Sequence, residues 1–547
     1  MRAGARRHGP LAAALAVMIG LRAGLLASDA VPFNADEAVV ALMARHILQG
    51  ARPIFFYGQA YLGSLDAWLV AGAFRLLGEG VLAVRVVQAA LYAGVLITAY
   101  AIALRVFGDL WTARAVALWL AVPPVTLTLY TTASLGGYGE ALLLGNLIWL
   151  AALRLIPEGG NPSASPAGCA RAVFASSGLG WLILGALTGL GLWVFPLTGV
   201  YALPAWALAL WAGRGAGRRG QLAHLALAAG GAVLGAAPWL WYTATAGPVT
   251  LAELSGSAIA GVAGLPPAQA FAQQLLSLVL FGPTVVAGLR PSWSIEMLAL
   301  PLAPLATAVY SAAVIRALRG WGRGPAAAGR RLWLGAGATL CAAFVLTPFG
   351  ADPSGRYFLP LMVALAFLTA DFLGALRRRW PRLAPGLALG LLAFNFWGTA
   401  QSAAAPAGLT TQFDPATRVA MRDLPAVIDF LREQGETRGY ANYWVTFPLA
   451  FLSREELIFA ARLPYHLDFR YTPRDDRYAP YTRLAAESPR AAYITTRHPP
   501  LDDRLRTGFA ALGVRYREHR IGDFQIFYAF SRKVEPDELG LGSPCCR

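Results

Sequence analysis

Nearly charge-free apolar runs recur through the first four hundred residues, at 11–27, 81–104, 113–130, 139–156, 178–195, 196–212, 222–243, 294–318, 332–348, 357–376 and 383–400. Several approach the ~20 residues an α-helix needs to cross about 30 Å of hydrocarbon. Their repetition, with short basic turns between them, predicts about eleven transmembrane helices rather than the buried helices of a soluble protein. The stretch 271–289 disturbs that count. A crossing there would move every later basic turn to the wrong side, so it reads as re-entrant or interfacial. Near residue 401 the pattern changes. Leu424, Val427, Ile428 and Leu431 recur at helical spacing over 424–433, and Gly435 ends that helix. Residues 439–446, 456–460, 491–496 and 522–530 read as strands, and 501–512 as a helix. The fold expected is an all-α polytopic membrane domain over 1–400, followed by a small extracytoplasmic α/β domain over 401–547. Residues 157–177, rich in Gly, Ser and Pro, read as a flexible cytoplasmic loop.

Composition supports the membrane assignment. Of 547 residues, 56% are hydrophobic and 14% charged, against about 25% charged in soluble domains; mean hydropathy is +0.50. Half of the charged residues fall in the last quarter of the chain. Lys533 is the only lysine, so arginine carries the orientation signal. Arg2, Arg6 and Arg7 precede the first run and place the N-terminus in the cytoplasm. Arg105 and Arg114, Arg154 and Arg171, then the clusters at 214–219, 316–331 and 377–379, mark the cytoplasmic turns. The first run is not a cleaved signal peptide on this reading, because Ser28-Asp29-Ala30 is a poor cleavage site. The net charge of +16 is thus a topology signal, and no interleaved basic–aromatic face argues for nucleic acid. Cys169, Cys341, Cys545 and Cys546 lack metal-site spacing.

The candidate chemistry gathers in the first outer loop, 28–80. Asp36 and Glu37 adjoin an apolar span, where acids are costly and tend to be functional. Residues 38–48 are helical in pattern, which puts Asp36 at or near an N-cap. Tyr57, Gln59, Tyr61 and Asp66 follow among glycines and aromatics, a mixture common in sugar sites and equally suited to an interfacial anchor. Glu140 follows Leu135-Gly136-Gly137-Tyr138-Gly139, a turn that can approach a ligand closely or simply head a helix. Arg85 and Arg356 sit at outer ends of spans, placed for phosphate or for lipid headgroups.

Taken together, these features resemble the GT-C superfamily of polyprenyl-phosphate-dependent glycosyltransferases. The nearest branch is family 39, with the protein O-mannosyltransferases and aminoarabinose transferases. The resemblance rests on four features: Asp36-Glu37 after the first span, the loop reaching Gly78-Glu79-Gly80 with Ala83-Val84-Arg85 opening the second, the run from Asp352 through Arg356-Tyr357 to Pro360, and the α/β tail. It covers residues 10–400, with the tail weaker. One departure is plain: where many bacterial relatives carry Lys-Pro-Pro-Leu, this chain has Gly63-Ser64-Leu65.

The resemblance implies transfer of a sugar, with inversion, from a lipid-phosphate donor to a protein, lipid or glycan acceptor on the extracytoplasmic face of a bacterial inner membrane. It puts catalysis on Asp36 and Glu37, with Asp36 as base, and donor contacts on Arg85 and Arg356. It implies no required cofactor; a divalent metal held by Asp36, Asp66 and Glu140 is the weaker alternative. The rival functions are a transporter or flippase of envelope glycolipids, which would show inverted repeats and broken mid-membrane helices, and a non-catalytic assembly partner.

Overall fold

The computed structural model describes residues 2–156, 178–254, 266–352 and 354–541. The loop expected at 157–177 lies outside them. The chain begins with α1 (Arg2–Ala27), followed in the first long loop by α2 (Ala35–Leu48) and α3 (Leu65–Leu77). Then come α4 (Val81–Phe107), α5 (Leu110–Ala121), α6 (Val125–Tyr130), α7 (Tyr138–Arg154), α8 (Leu179–Val194) and α9 (Gly199–Ala212). The membrane part continues with α10 (Gly217–Gly235), α11 (Ala237–Ala246), α12 (Pro267–Leu280), α13 (Ala303–Arg319), α14 (Ala327–Leu346), α15 (Leu359–Arg379) and α16 (Leu383–Ala404).

Each of the eleven apolar runs coincides with helix over most of its length, because hydrocarbon leaves a backbone no other way to satisfy its polar groups within one segment. Among the described residues, six stretches are long and apolar enough to cross a membrane, or seven with α10 and α11 as one span bent by 66°. The expected eleven full-length spans are therefore not all met. α5, α7, α8 and α9 have only 12, 17, 16 and 14 residues. Proline explains the breaks: Pro123-Pro124 separates α5 from α6, and Pro238 follows the α10–α11 bend. The stretch Pro267–Val286 is one of the six; it has the length and composition of a span, not those of the re-entrant or interfacial segment the charge count suggested.

The tail is an α/β domain built on a five-stranded sheet. Its elements are α17 (Leu424–Gln434), β3 (Arg438–Ala441), α18 (Tyr443–Leu452), β4 (Ile458–Ala461), α19 (Ala479–Glu487), β5 (Ala492–Thr496), α20 (Pro499–Ala511), β6 (Arg517–Ile521) and β7 (Phe524–Tyr528). The strand order is β4-β3-β5-β7-β6, with β3 parallel to both β4 and β5 and the far edge antiparallel. Leu424, Val427, Ile428 and Leu431 of α17 pack on one face with Val445 and Leu449 of α18. Leu501, Leu505 and Phe509 of α20 cover the other. Gly435, at φ 69°, ends α17 in the left-handed conformation. One strand expectation fails in part: only the start of 439–446 is extended, and from Tyr443 the chain turns into the helix that links two parallel strands.

In the first loop, β1 (Phe55–Phe56) and β2 (Gln59–Gly63) form a small antiparallel hairpin. The N-cap of α2 is Asn34, not Asp36; its side chain accepts from the Glu37 N–H at 3.1 Å. Asp36 and Glu37 in the first turn and Arg45 and His46 in the last complement the helix dipole.

Candidate active site

Successive residues on a helix point about 100° apart, and this separates the two acids of the first loop. Asp36 is half-buried at the junction of the membrane part and the tail. There the Tyr443 hydroxyl, on the first residue of α18, donates to Asp36 Oδ1 at 2.5 Å. The Arg477 guanidinium lies over the Tyr443 ring, 5.4 Å from its centroid. With its amide oxygen turned inward, Gln59 accepts from Arg477 Nη1 and Nη2 at 2.9 and 3.1 Å. The hairpin turn approaches the same arginine closely. Gly58 has φ 68°, and a Cβ there would stand 3.0 Å from the Arg477 backbone. Tyr61 is buried beside them, its ring edge-on to Phe349.

On the membrane side of this junction, Tyr130 lies within electrostatic reach of both Asp36 and Arg356. Arg356 Nε lies 2.7 Å from Asp352, and the guanidinium sits over the Tyr357 ring at 5.1 Å. Tyr130 and Tyr138 pack edge-to-face nearby. Arg356 precedes α15, whose 21 residues extend roughly 31 Å to Arg377, Arg378 and Arg379 at its far end.

Glu37 turns inward and is fully buried. It accepts from Arg85 Nη2 at 2.6 Å and from the Ser134 N–H at 3.2 Å. Burial, the largest influence, pushes its carboxyl up to about 7 against the pull of Arg85. Arg85, expected to grip phosphate, is itself buried, and its Nη2 is shared among Glu37 and the Val31 and Pro32 carbonyls. It holds the entry to α2 from within. Ser134 also donates its hydroxyl to Asp66, which accepts from Gln88 Nε2 at 2.9 Å. Burial pushes Asp66 up to about 6, and the buried Glu140 carboxyl lies against it. Among the described residues no three His, Cys, Asp or Glu side chains come together as a metal site, so Asp36 does not join Asp66 and Glu140 as a third oxygen ligand.

Tyr57 serves the joint between the two domains. Its hydroxyl meets His46 Nδ1 at 3.0 Å, and its ring stacks on Tyr478, 4.7 Å away. His46 Nε2 contacts Glu455 at 2.9 Å, Tyr481 donates to the same carboxylate at 2.7 Å, and Arg45 bridges Glu455 and Glu79. Burial opposes the charge on Glu455, yet these hydrogen bonds overcome it and hold the carboxyl down at about 2. A carboxyl with a depressed folded value stabilises above its unfolded value and loses that contribution as pH falls through the folded one. The extra melting stability of the wild type over Glu455→Gln is therefore expected at neutral pH and should vanish between about pH 4.5 and pH 2. Melting curves of both chains across that range check it.

No protein-family profile matches the chain, and no curated protein matches it. Among solved structures, ArnT from Cupriavidus metallidurans in the apo state is similar over 96% of this chain and 98% of its own, with TM-score 0.59 at 16% identity. The same protein bound to undecaprenyl phosphate gives 95%, 98%, 0.58 and 15%. The chain has the GT-C fold. An oligosaccharyltransferase from Archaeoglobus fulgidus is more distant, at TM-score 0.46 and 13% identity over 90% of this chain and 70% of that one. Of the residues singled out in the sequence, Asp36 and Gln59 contact Tyr443 and Arg477 of the tail, Tyr61 adjoins Gln59, and Arg356 lies beside Tyr357. The tail's contribution, Tyr443 and Arg477, and the His46–Glu455 joint were not foreseen from the sequence. The signal available was the dense mixture of arginine, aspartate and tyrosine at 470–481, too charged for a packed strand and too aromatic for a solvated loop.

Proposed function

We propose that this chain is a membrane glycosyltransferase that moves a sugar from a polyprenyl-phosphate carrier to an acceptor hydroxyl, with inversion and with Asp36 as general base. One observation carries the reading. An apolar cavity of about 250 Å3 runs between α9 and α14, lined by Leu197, Val200, Leu203, Leu340, Ala343 and Phe344, and ends at Phe349 and Tyr357. Leu203 is exposed toward the lipid side, so a prenyl chain can enter from the bilayer. Tyr357 adjoins Arg356, where a lipid phosphate would meet a guanidinium suited to its geometry.

The reaction then balances simply. The acceptor oxygen bonds to the anomeric carbon as the bond from that carbon to the phosphate oxygen breaks. The acceptor proton passes to Asp36, and polyprenyl phosphate leaves as an anion toward Arg356. Gln59 and Tyr61 flank the sugar, while Glu37, Arg85, Asp66 and Glu140 hold the loop that presents Asp36. The arginines before the first apolar run argue for a cytoplasmic N-terminus, and the contact of Tyr443 with Asp36 keeps the tail and the first loop on one face, which this reading takes as the periplasmic face of a bacterial inner membrane.

Filling the cavity tests this. Ala343→Trp should raise the KM for a long-chain polyprenyl-phosphate sugar about tenfold or more. It should leave turnover of a short-chain water-soluble analogue nearly unchanged, with released polyprenyl phosphate as the measured product. A sugar-lipid pool moved across the bilayer without cleavage would refute the reading in favour of a flippase.

A further inference from the structure

We propose that the tail domain completes the catalytic base: the Tyr443 hydroxyl, donating to Oδ1, positions the Asp36 carboxylate so that Oδ2 is presented to the acceptor hydroxyl. This rests on the reading of Asp36 as base and adds a positioning residue 407 positions away in the chain.

The geometry supports it in three ways. First, Tyr443 is buried and its ring is fixed on several sides, by Trp444 at 5.0 Å, Phe447 at 5.4 Å and the Arg477 guanidinium at 5.4 Å. A donor already held by packing gives up little further freedom when it orients its acceptor. Second, the Tyr443 hydroxyl keeps its proton and so donates toward Asp36, since burial and the Asp36 charge push it well above the ordinary tyrosine value. Third, Asp36 Oδ2 makes no hydrogen bond among the described residues and is not shut off in the interior.

The titratable and charged groups facing Asp36 come from several elements. They are Tyr130 of α6, Tyr443 of α18, and Tyr465, Asp475 and Arg477 of the tail segment before α19. Asp475 is pushed up to about 7 by burial, which limits its charge beside Asp36 at neutral pH. Because Asp36 rides on the first loop and Tyr443 on the tail, the base is oriented only while the two are docked. The contacts of His46 with Glu455 and of Tyr57 with Tyr478 maintain that docking.

The test compares the full-length wild type with Tyr443→Phe in lipid nanodiscs, using mannosyl and aminoarabinosyl undecaprenyl phosphate as donors and water as acceptor. The expected result is a kcat about 10- to 100-fold lower with donor KM unchanged. The acid limb of the pH profile should move up by about one unit, because the carboxylate loses a hydrogen bond to its charged form. Carbodiimide labelling of Asp36 across pH reads the same shift with no donor present. Tyr493→Phe is the control. That buried tail tyrosine donates to the Val534 carbonyl at 2.7 Å, so its loss should lower the melting temperature and leave the labelling midpoint in place. An unmoved midpoint in Tyr443→Phe overturns the inference. Full activity in Asp36→Asn would instead remove the base reading on which it rests.

Discussion

Replacing Asp36 by asparagine is expected to lower kcat by ~10²–10⁴-fold, the usual contribution of a positioned general base. Donor binding should change little, because the proposed phosphate and prenyl contacts lie elsewhere, at Arg356 and along the cavity between α9 and α14. The neighbouring substitution, Glu37→Gln, separates position from chemistry. Glu37 has no exposure and is engaged by Arg85 and the Ser134 N–H, so it cannot take a proton from an acceptor beside Asp36. Its loss should show mainly as lower stability with a smaller fall in kcat. Single-turnover rates with a lipid-linked sugar, measured for both variants beside the wild type, check the contrast. Equal losses in the two would mean that the acids act as one unit.

The second large effect concerns stability. Arg85→Ala leaves the buried Glu37 carboxyl without its cation, which typically costs about 3–5 kcal/mol. The penalty depends on pH in a definite direction. Glu37 already stands at about 7, above its ordinary value of 4.5, and removal of Arg85 raises it further. A carboxyl whose folded value is raised is neutral in both states at low pH, and the folded state is progressively disfavoured as pH climbs through the gap. The deficit of Arg85→Ala should therefore be small near pH 5 and large at pH 8, as read by melting in detergent. Combining Arg85→Met with Glu37→Gln removes both charges and should recover most of the loss. A deficit independent of pH would show that packing, not the ion pair, is at stake.

Both predictions turn on a distinction invisible along the chain. Asp36 and Glu37 are equivalent as sequence, two acids beside an apolar span. Only the angular step of α2, set by the Asn34 cap, sends one toward Tyr443 of the tail and the other against Arg85. The same holds for Arg85 and Arg356. Each marks the end of a span and each is ion-paired, yet Arg85 is buried against Glu37 while Arg356, paired with Asp352, keeps part of its side chain exposed. The run 439–446 shows a related limit. Its aromatic and β-branched residues suit strand or helix, and packing between parallel strands decided for helix beyond Ala441.

What the chain alone determined is that its first four hundred residues form apolar helices and that an acid pair, Asp36 and Glu37, stands beside one of them. Lipid permits few backbone solutions, so long apolar runs must become helices, and an acid next to one needs a reason to be there. The tertiary structure decided which charges pair, and that Tyr443 and Arg477 reach the first loop from four hundred residues away. Side-chain pairing between distant segments depends on how the domains dock, and no local periodicity encodes that.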